Sequence, residues 1–228
     1  MRLLAFICSF FLIVTLSSCS VNEIIGNTPI DYSAEEPIAD FSASEELISS
    51  LSDMIYALTI DSIKLPEFSD TASALSKCGD SLLNHLLTTN YSRFSGNTEV
   101  LKRAAKEYKN MNITAAIGES DYEGALYKYF NHGGNIRHES TARFKYLSKI
   151  DAYIPAVQAQ ANKFSLDIIS VAETENTYRM SFYCSNGEEV SPEYLAVFVK
   201  RDKGGCYIQS LRQMASEKIN YKIPPVFS

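Results

Sequence analysis

The chain has 228 residues, 46% of them hydrophobic and 21% charged, with 12 Phe and 14 Tyr but no Trp. That is the composition of a folded domain rather than of a disordered segment. A formal net charge of −6 supplies no general attraction to phosphate backbones or anionic headgroups, so nucleic acid is not an expected partner.

Residues 1–18 read MRLLAFICSFFLIVTLSS. One charge, Arg2, precedes an apolar run from Leu3 to Leu16, and small residues follow, the order of a secretory signal. As a helix the run would rise about 21 Å, short of a hydrocarbon core of roughly 30 Å. Leu16-Ser17-Ser18-Cys19 resembles the lipobox of bacterial prolipoproteins: an aliphatic residue, two small ones, then cysteine. The resemblance implies cleavage before Cys19, diacylglycerol on its sulfur and frequently a further acyl chain on the new amino terminus. Two or more chains hold a bilayer firmly where one does so only marginally. The expected address is therefore a cell membrane or outer membrane, lipid-anchored and facing away from the cytoplasm. Residues 20–41 contain Gly26, Pro29 and Pro37 without a steady period and read as a tether.

Helices are predicted next. Ser42-Ala43-Ser44-Glu45 has the capping-box pattern, and Leu47, Ile48, Leu51, Met54, Ile55 and Leu58 follow at helical steps. Leu65-Pro66 interrupts the chain. A second helix over residues 71–89 carries Leu75, Cys78, Leu82 and Leu86 on one stripe, widened by Leu83 and Leu87. Gly79 within it costs about 1 kcal/mol relative to Ala and points to close packing. Asn97 or Thr98 opens a third helix with Val100, Leu101, Ala104, Ala105 and Tyr108. A fourth follows Asp121, carries Tyr122, Leu126, Tyr129 and Phe130, and stops at Gly133-Gly134.

The period then changes to two. Residues 143–154 alternate, with Phe144, Tyr146, Ser148, Ile150, Ala152 and Ile154 on one face, and strands are expected over 166–173, 178–184, 194–200 and 206–212. Glu175-Asn176, Asn186-Gly187 and Lys203-Gly204-Gly205 supply turns. Helices followed by a strand meander define an α+β domain, with helices (about 42–131) packed on a curved antiparallel sheet (about 143–213) of four to five strands. A C-terminal tail over 214–228 completes the division. The element order over residues 98–213, with its last hairpin YLAVFVKRDKGGCYIQSL, resembles the nuclear-transport-factor-2-like, or cystatin-like, fold. That resemblance implies a cone-shaped domain; it matches no catalytic motif, so no functional residue carries over.

Of the five cysteines, Cys8 is in the leader and Cys19 is the lipidation site. Cys78, Cys184 and Cys206 are an odd number and exclude a full disulfide framework. The meander puts Cys184 and Cys206 at opposite ends of the sheet, beyond the roughly 7 Å that a disulfide spans; all three read as small apolar residues. His132 and His138 flank Gly133-Gly134-Asn135, a spacing that fits no usual metal pattern, and read as two solvated loop histidines. His85, between apolar helix positions, reads as a satisfied or half-exposed histidine. Asp151, Asp167 and Glu173 read as exposed strand acids, and Lys102, Arg103, Lys106 and Lys109 as a solvated helix face. Tyr146, Tyr153, Tyr178, Tyr183, Tyr194 and Tyr207 suit either a core or a pocket lining.

No catalytic residue, metal ligand or cofactor site is expected; Cys19 is the one assigned position. The expected function is a non-enzymatic domain that binds a protein or small ligand at the cell envelope. The alternatives are an enzyme using polar groups in a cone-shaped cavity, and a subunit of an envelope secretion or conjugation assembly.

Overall fold

A computed structural model describes residue 32 and residues 34–214, apart from 61 and 135. The expectations placed on the leader, on Cys19, on the tether up to residue 31 and on residues 215–228 lie outside the described residues. The described residues from 34 to 214 form one compact unit, and every element given below lies in it.

Among the described residues, four α-helices and a single helical turn come first or early: α1 (Glu45–Tyr56), α2 (Thr71–Thr89), the turn α3 (Tyr91–Phe94), α4 (Glu99–Glu107) and α5 (Glu119–Phe130). The Ser44 hydroxyl accepts from Leu47 N at 3.2 Å and caps α1, two residues later than the capping box read from Ser42. Asp70 and Thr98 cap α2 and α4 in the same way. Helix α5 stops earlier than expected. Its C-cap is Asn131 at φ 54°, a left-handed conformation that Asn tolerates, so Gly133-Gly134 is not its terminus.

The strands are β1 (Ile117–Gly118), β2 (Phe144–Leu147), β3 (Ala152–Pro155), β4 (Ser165–Glu173), β5 (Thr177–Ser185), β6 (Tyr194–Lys200) and β7 (Cys206–Gln213). Strands β4 to β7 make the expected antiparallel meander, in the order β4-β5-β6-β7. Residues 143–154 are not one strand. Asp151 turns at φ 50°, and β2 folds back on β3 with Phe144 opposite Pro155 and Leu147 opposite Ala152. With β1 they form a second antiparallel sheet, ordered β1-β3-β2. The protein is α+β, with two sheets among the described residues.

One core joins Leu51 and Ile55 of α1, Leu82 and Leu83 of α2, Leu126 and Phe130 of α5, and Met180, Phe182, Phe198 and Ile208 of the meander. A smaller cluster packs Leu101 and Ala104 of α4 on Leu147, Ile150, Ala152 and Ile154. The helices between residues 45 and 94 thus belong to the same core as the four-stranded sheet. Part of the expected tether is bound as well. Ile38 N donates to Glu173 O at 2.7 Å, Glu35 accepts from Thr174 and Asn176 beside the β4–β5 turn, and the Phe41 ring lies 6.2 Å from that of Tyr178. No helix of the described residues is long and apolar enough to cross a membrane.

Candidate functional site

Glu119 and Glu123 stand four residues apart at the start of α5 and so share a helix face. The segment that leaves α5 brings His138 back to them. His138 Nε2 lies 3.1 Å from Glu123 Oε1 and 3.7 Å from Glu119 Oε1, and only 8% of its side chain is exposed. Its Nδ1 is 3.0 Å from the Tyr153 hydroxyl. The Tyr146 ring stacks on the imidazole at 5.4 Å, and Tyr122 meets it edge-on at 6.3 Å. Tyr146 donates its hydroxyl to Glu119 Oε2 at 2.5 Å. One donor atom from each of Glu119, Glu123 and His138 falls within 4.8 Å of the others, a grouping compatible with one shared metal ion. Burial is the first cause that pushes up the phenols of Tyr146 and Tyr153, so both remain neutral hydrogen-bonding groups.

This overturns the reading of His138 as a solvated loop residue, because three tyrosine rings and two carboxylates enclose it. His132 remains in the half-exposed loop. The signal available in the sequence was the Glu119–Glu123 pair at helical spacing; what brings His138 to it is the path of an aperiodic loop.

A recess of 560 Å³ adjoins this cluster and shares Tyr122 and Tyr153 with it. Leu75, Leu126 and Ile136 give it an apolar lining, and Lys77, Asp80, Arg137 and Glu139 add charge of both signs. Gly79 lies in its wall because a Cβ there would stand 3.0 Å from the Tyr122 hydroxyl, which accounts for the glycine inside α2. Asp80 accepts from Thr141 Oγ1 and from Arg143 N, fastening the 136–143 segment to α2. Burial pushes the Tyr122 phenol up to about 12.

On the opposite end of α5, His85 Nε2 lies 3.1 Å from both Asp53 Oδ1 and the Tyr129 hydroxyl, and Tyr129 donates to Asp53 Oδ2 at 2.8 Å. His85 is a satisfied, buried histidine. Of the other positions singled out, Asp151 is exposed in the β2–β3 turn and Asp167 is exposed on β4, whereas Glu173 pairs with Lys200 at 2.6 Å. Lys102 pairs with Glu99, and Arg103 donates to Ile150 O. Cys78, Cys184 and Cys206 are free and buried. Burial pushes the Cys78 and Cys184 thiols up to about 12, which removes their nucleophilic form at neutral pH.

The chain matches no protein-family model, no curated protein and no solved structure. Its class is defined by its own geometry: an α+β protein with a histidine–carboxylate–tyrosine cluster beside an open recess.

Proposed function

We propose that this is an exported protein, lipid-anchored through Cys19, whose domain binds a small amphipathic molecule at the cell envelope. The observation that carries the binding part is the 560 Å³ recess, which has the size and mixed lining of a small-molecule site. An apolar floor suits a ring or short chain, and the four charged side chains suit a ligand with polar ends of either sign. The tyrosines in its wall are held neutral by burial; they offer hydrogen bonds rather than proton transfer at neutral pH. The meander β4 to β7 supports the resemblance to the cystatin-like fold as part of this reading, and Leu16-Ser17-Ser18-Cys19 supports the address.

The test uses the full chain extracted from its native membranes in mild detergent. Native mass spectrometry is expected to show a drug-sized adduct on the wild type that Ala72→Trp loses, since Ala72 is exposed and lines the recess. An adduct retained in full by that variant, or no adduct on the wild type, defeats the binding reading. Separately, Cys19→Ala is expected to abolish incorporation of labelled fatty acid; unchanged incorporation removes the anchor.

A further inference from the structure

We infer that Glu119, Glu123 and His138 form a binding site for a divalent borderline transition cation of the Zn²⁺ or Co²⁺ kind. Glu119 Oε1, Glu123 Oε1 and His138 Nε2 are its three protein ligands. None of the three donor residues lines the recess.

The two separations from Nε2 fit a shared ion. Ligands about 2.1 Å from a tetrahedral metal lie roughly 3.4 Å from one another, and about 3.0 Å apart when the geometry is octahedral. The separations from Nε2 are 3.1 Å and 3.7 Å. A proton does this work less completely than a cation. One hydrogen on Nε2 reaches Glu123 but not Glu119, whereas an ion between the three atoms satisfies both carboxylates and neutralises their charge.

The surrounding contacts are those that prepare metal ligands. With a proton on Nδ1 donated to the Tyr153 hydroxyl 3.0 Å away, the Nε2 lone pair is left facing the two carboxylates. The Tyr146 hydroxyl occupies Glu119 Oε2, so that carboxylate presents its other oxygen. Such outer contacts fix the tautomer and orientation of a ligating histidine and carboxylate. Tyr146 and Tyr122 hold the ring between them.

The donor set also selects the ion. One imidazole and two carboxylates favour borderline divalent metals over Ca²⁺ and Mg²⁺, which prefer oxygen alone, and the lack of sulfur disfavours Cu⁺. The Glu119 and Glu123 side chains are 33% and 44% exposed. The remaining coordination positions therefore open to solvent, as in exchangeable sites rather than closed structural ones.

The experiment is titration of the chelator-stripped full chain in detergent with Co²⁺, read by its visible absorption, and with Zn²⁺, read by competition with a chromophoric chelator. One ion per chain is expected for the wild type. Glu119→Gln, Glu123→Gln and His138→Gln are each expected to weaken binding at least about tenfold, while His132→Gln leaves it unchanged. Should His138→Gln fail to fold, Glu123→Gln remains decisive, because its side chain is partly exposed and the replacement nearly isosteric. Absence of binding by the wild type, wild-type affinity in Glu119→Gln or Glu123→Gln, or loss of binding in His132→Gln would each overturn the assignment.

Discussion

At Asp53 one carboxylate gathers contacts from three side chains. His85 hydrogen-bonds one oxygen, Tyr129 donates to the other, and Lys128 Nζ lies 3.6 Å away. The hydrogen bond with His85 is the largest cause holding its acid constant at about 2, below an ordinary value of 3.8. A carboxylate lowered in the folded state stabilises that state above its unfolded acid constant, and the contribution disappears as pH falls toward the folded one. Stability is therefore expected to drop between about pH 4 and pH 2. Asp53→Asn should flatten that acid limb and lower neutral-pH stability by on the order of 1 kcal/mol, discounted for a side chain 42% exposed. Urea melts across this range check it; an unchanged acid limb in the variant would assign the acid sensitivity elsewhere. Single residues were the least legible scale. His85 sits between apolar positions of a helix, which left a satisfied or a half-exposed histidine readable, and the structure shows the satisfied one. His138 sits in a loop, where no period marks which side chain turns inward.

Among the elements, α5 is bound at both termini by other parts of the chain. At its start, Glu119 N donates to Asp151 O at 2.8 Å, so the β2–β3 turn supplies the cap that Gly118 has no side chain to make. At its end, Arg201 from the β6–β7 turn donates to Tyr127 O at 2.6 Å and Lys128 O at 3.0 Å, and to Cys206 O at 2.8 Å. Its guanidinium also lies 5.1 Å from the centre of the Tyr127 ring and 5.3 Å from that of Tyr207. A positive charge there also complements the negative end of the helix dipole. Lysine cannot reproduce a fork that spans three carbonyls and two rings. Arg201→Lys is expected to cost about 1–2 kcal/mol in chemical denaturation; a variant indistinguishable from wild type would show that the fork contributes nothing net. Element positions were legible where period and punctuation agreed. Helix α2 runs over Thr71–Thr89, the span expected from its stripe. The alternation of residues 143–154 concealed a hairpin because Ile150, in the turn, is itself buried under α4. An apolar residue at a turn keeps the period of a continuous strand. The two-residue β1 is too short to carry any period.

For the molecule as a whole, the shared core makes the helices and the meander one cooperative body. Far-ultraviolet circular dichroism and tyrosine near-ultraviolet signals are expected to follow a single coincident unfolding transition; two separated transitions would divide the helices from the sheet. The α+β class was legible because helical and strand periods occupy successive halves of the chain. The partition into two sheets was not, since it depends on one backbone angle at Asp151. The cysteines follow from the same topology. Phe182 on β5 faces Tyr194, two residues before Cys184, whereas Cys206 faces Lys200, so the two thiols lie at opposite ends of β6.

Because α5 is a rod of roughly 18 Å gripped by a different sheet at each extremity, it behaves as a strut. Load applied to its first turn has two outlets: bending, which stretches its own ladder of hydrogen bonds, or displacement of the hairpin that Arg201 ties to its far tip. The second outlet ends at the β6–β7 corner, a surface that whatever loads the first turn never touches.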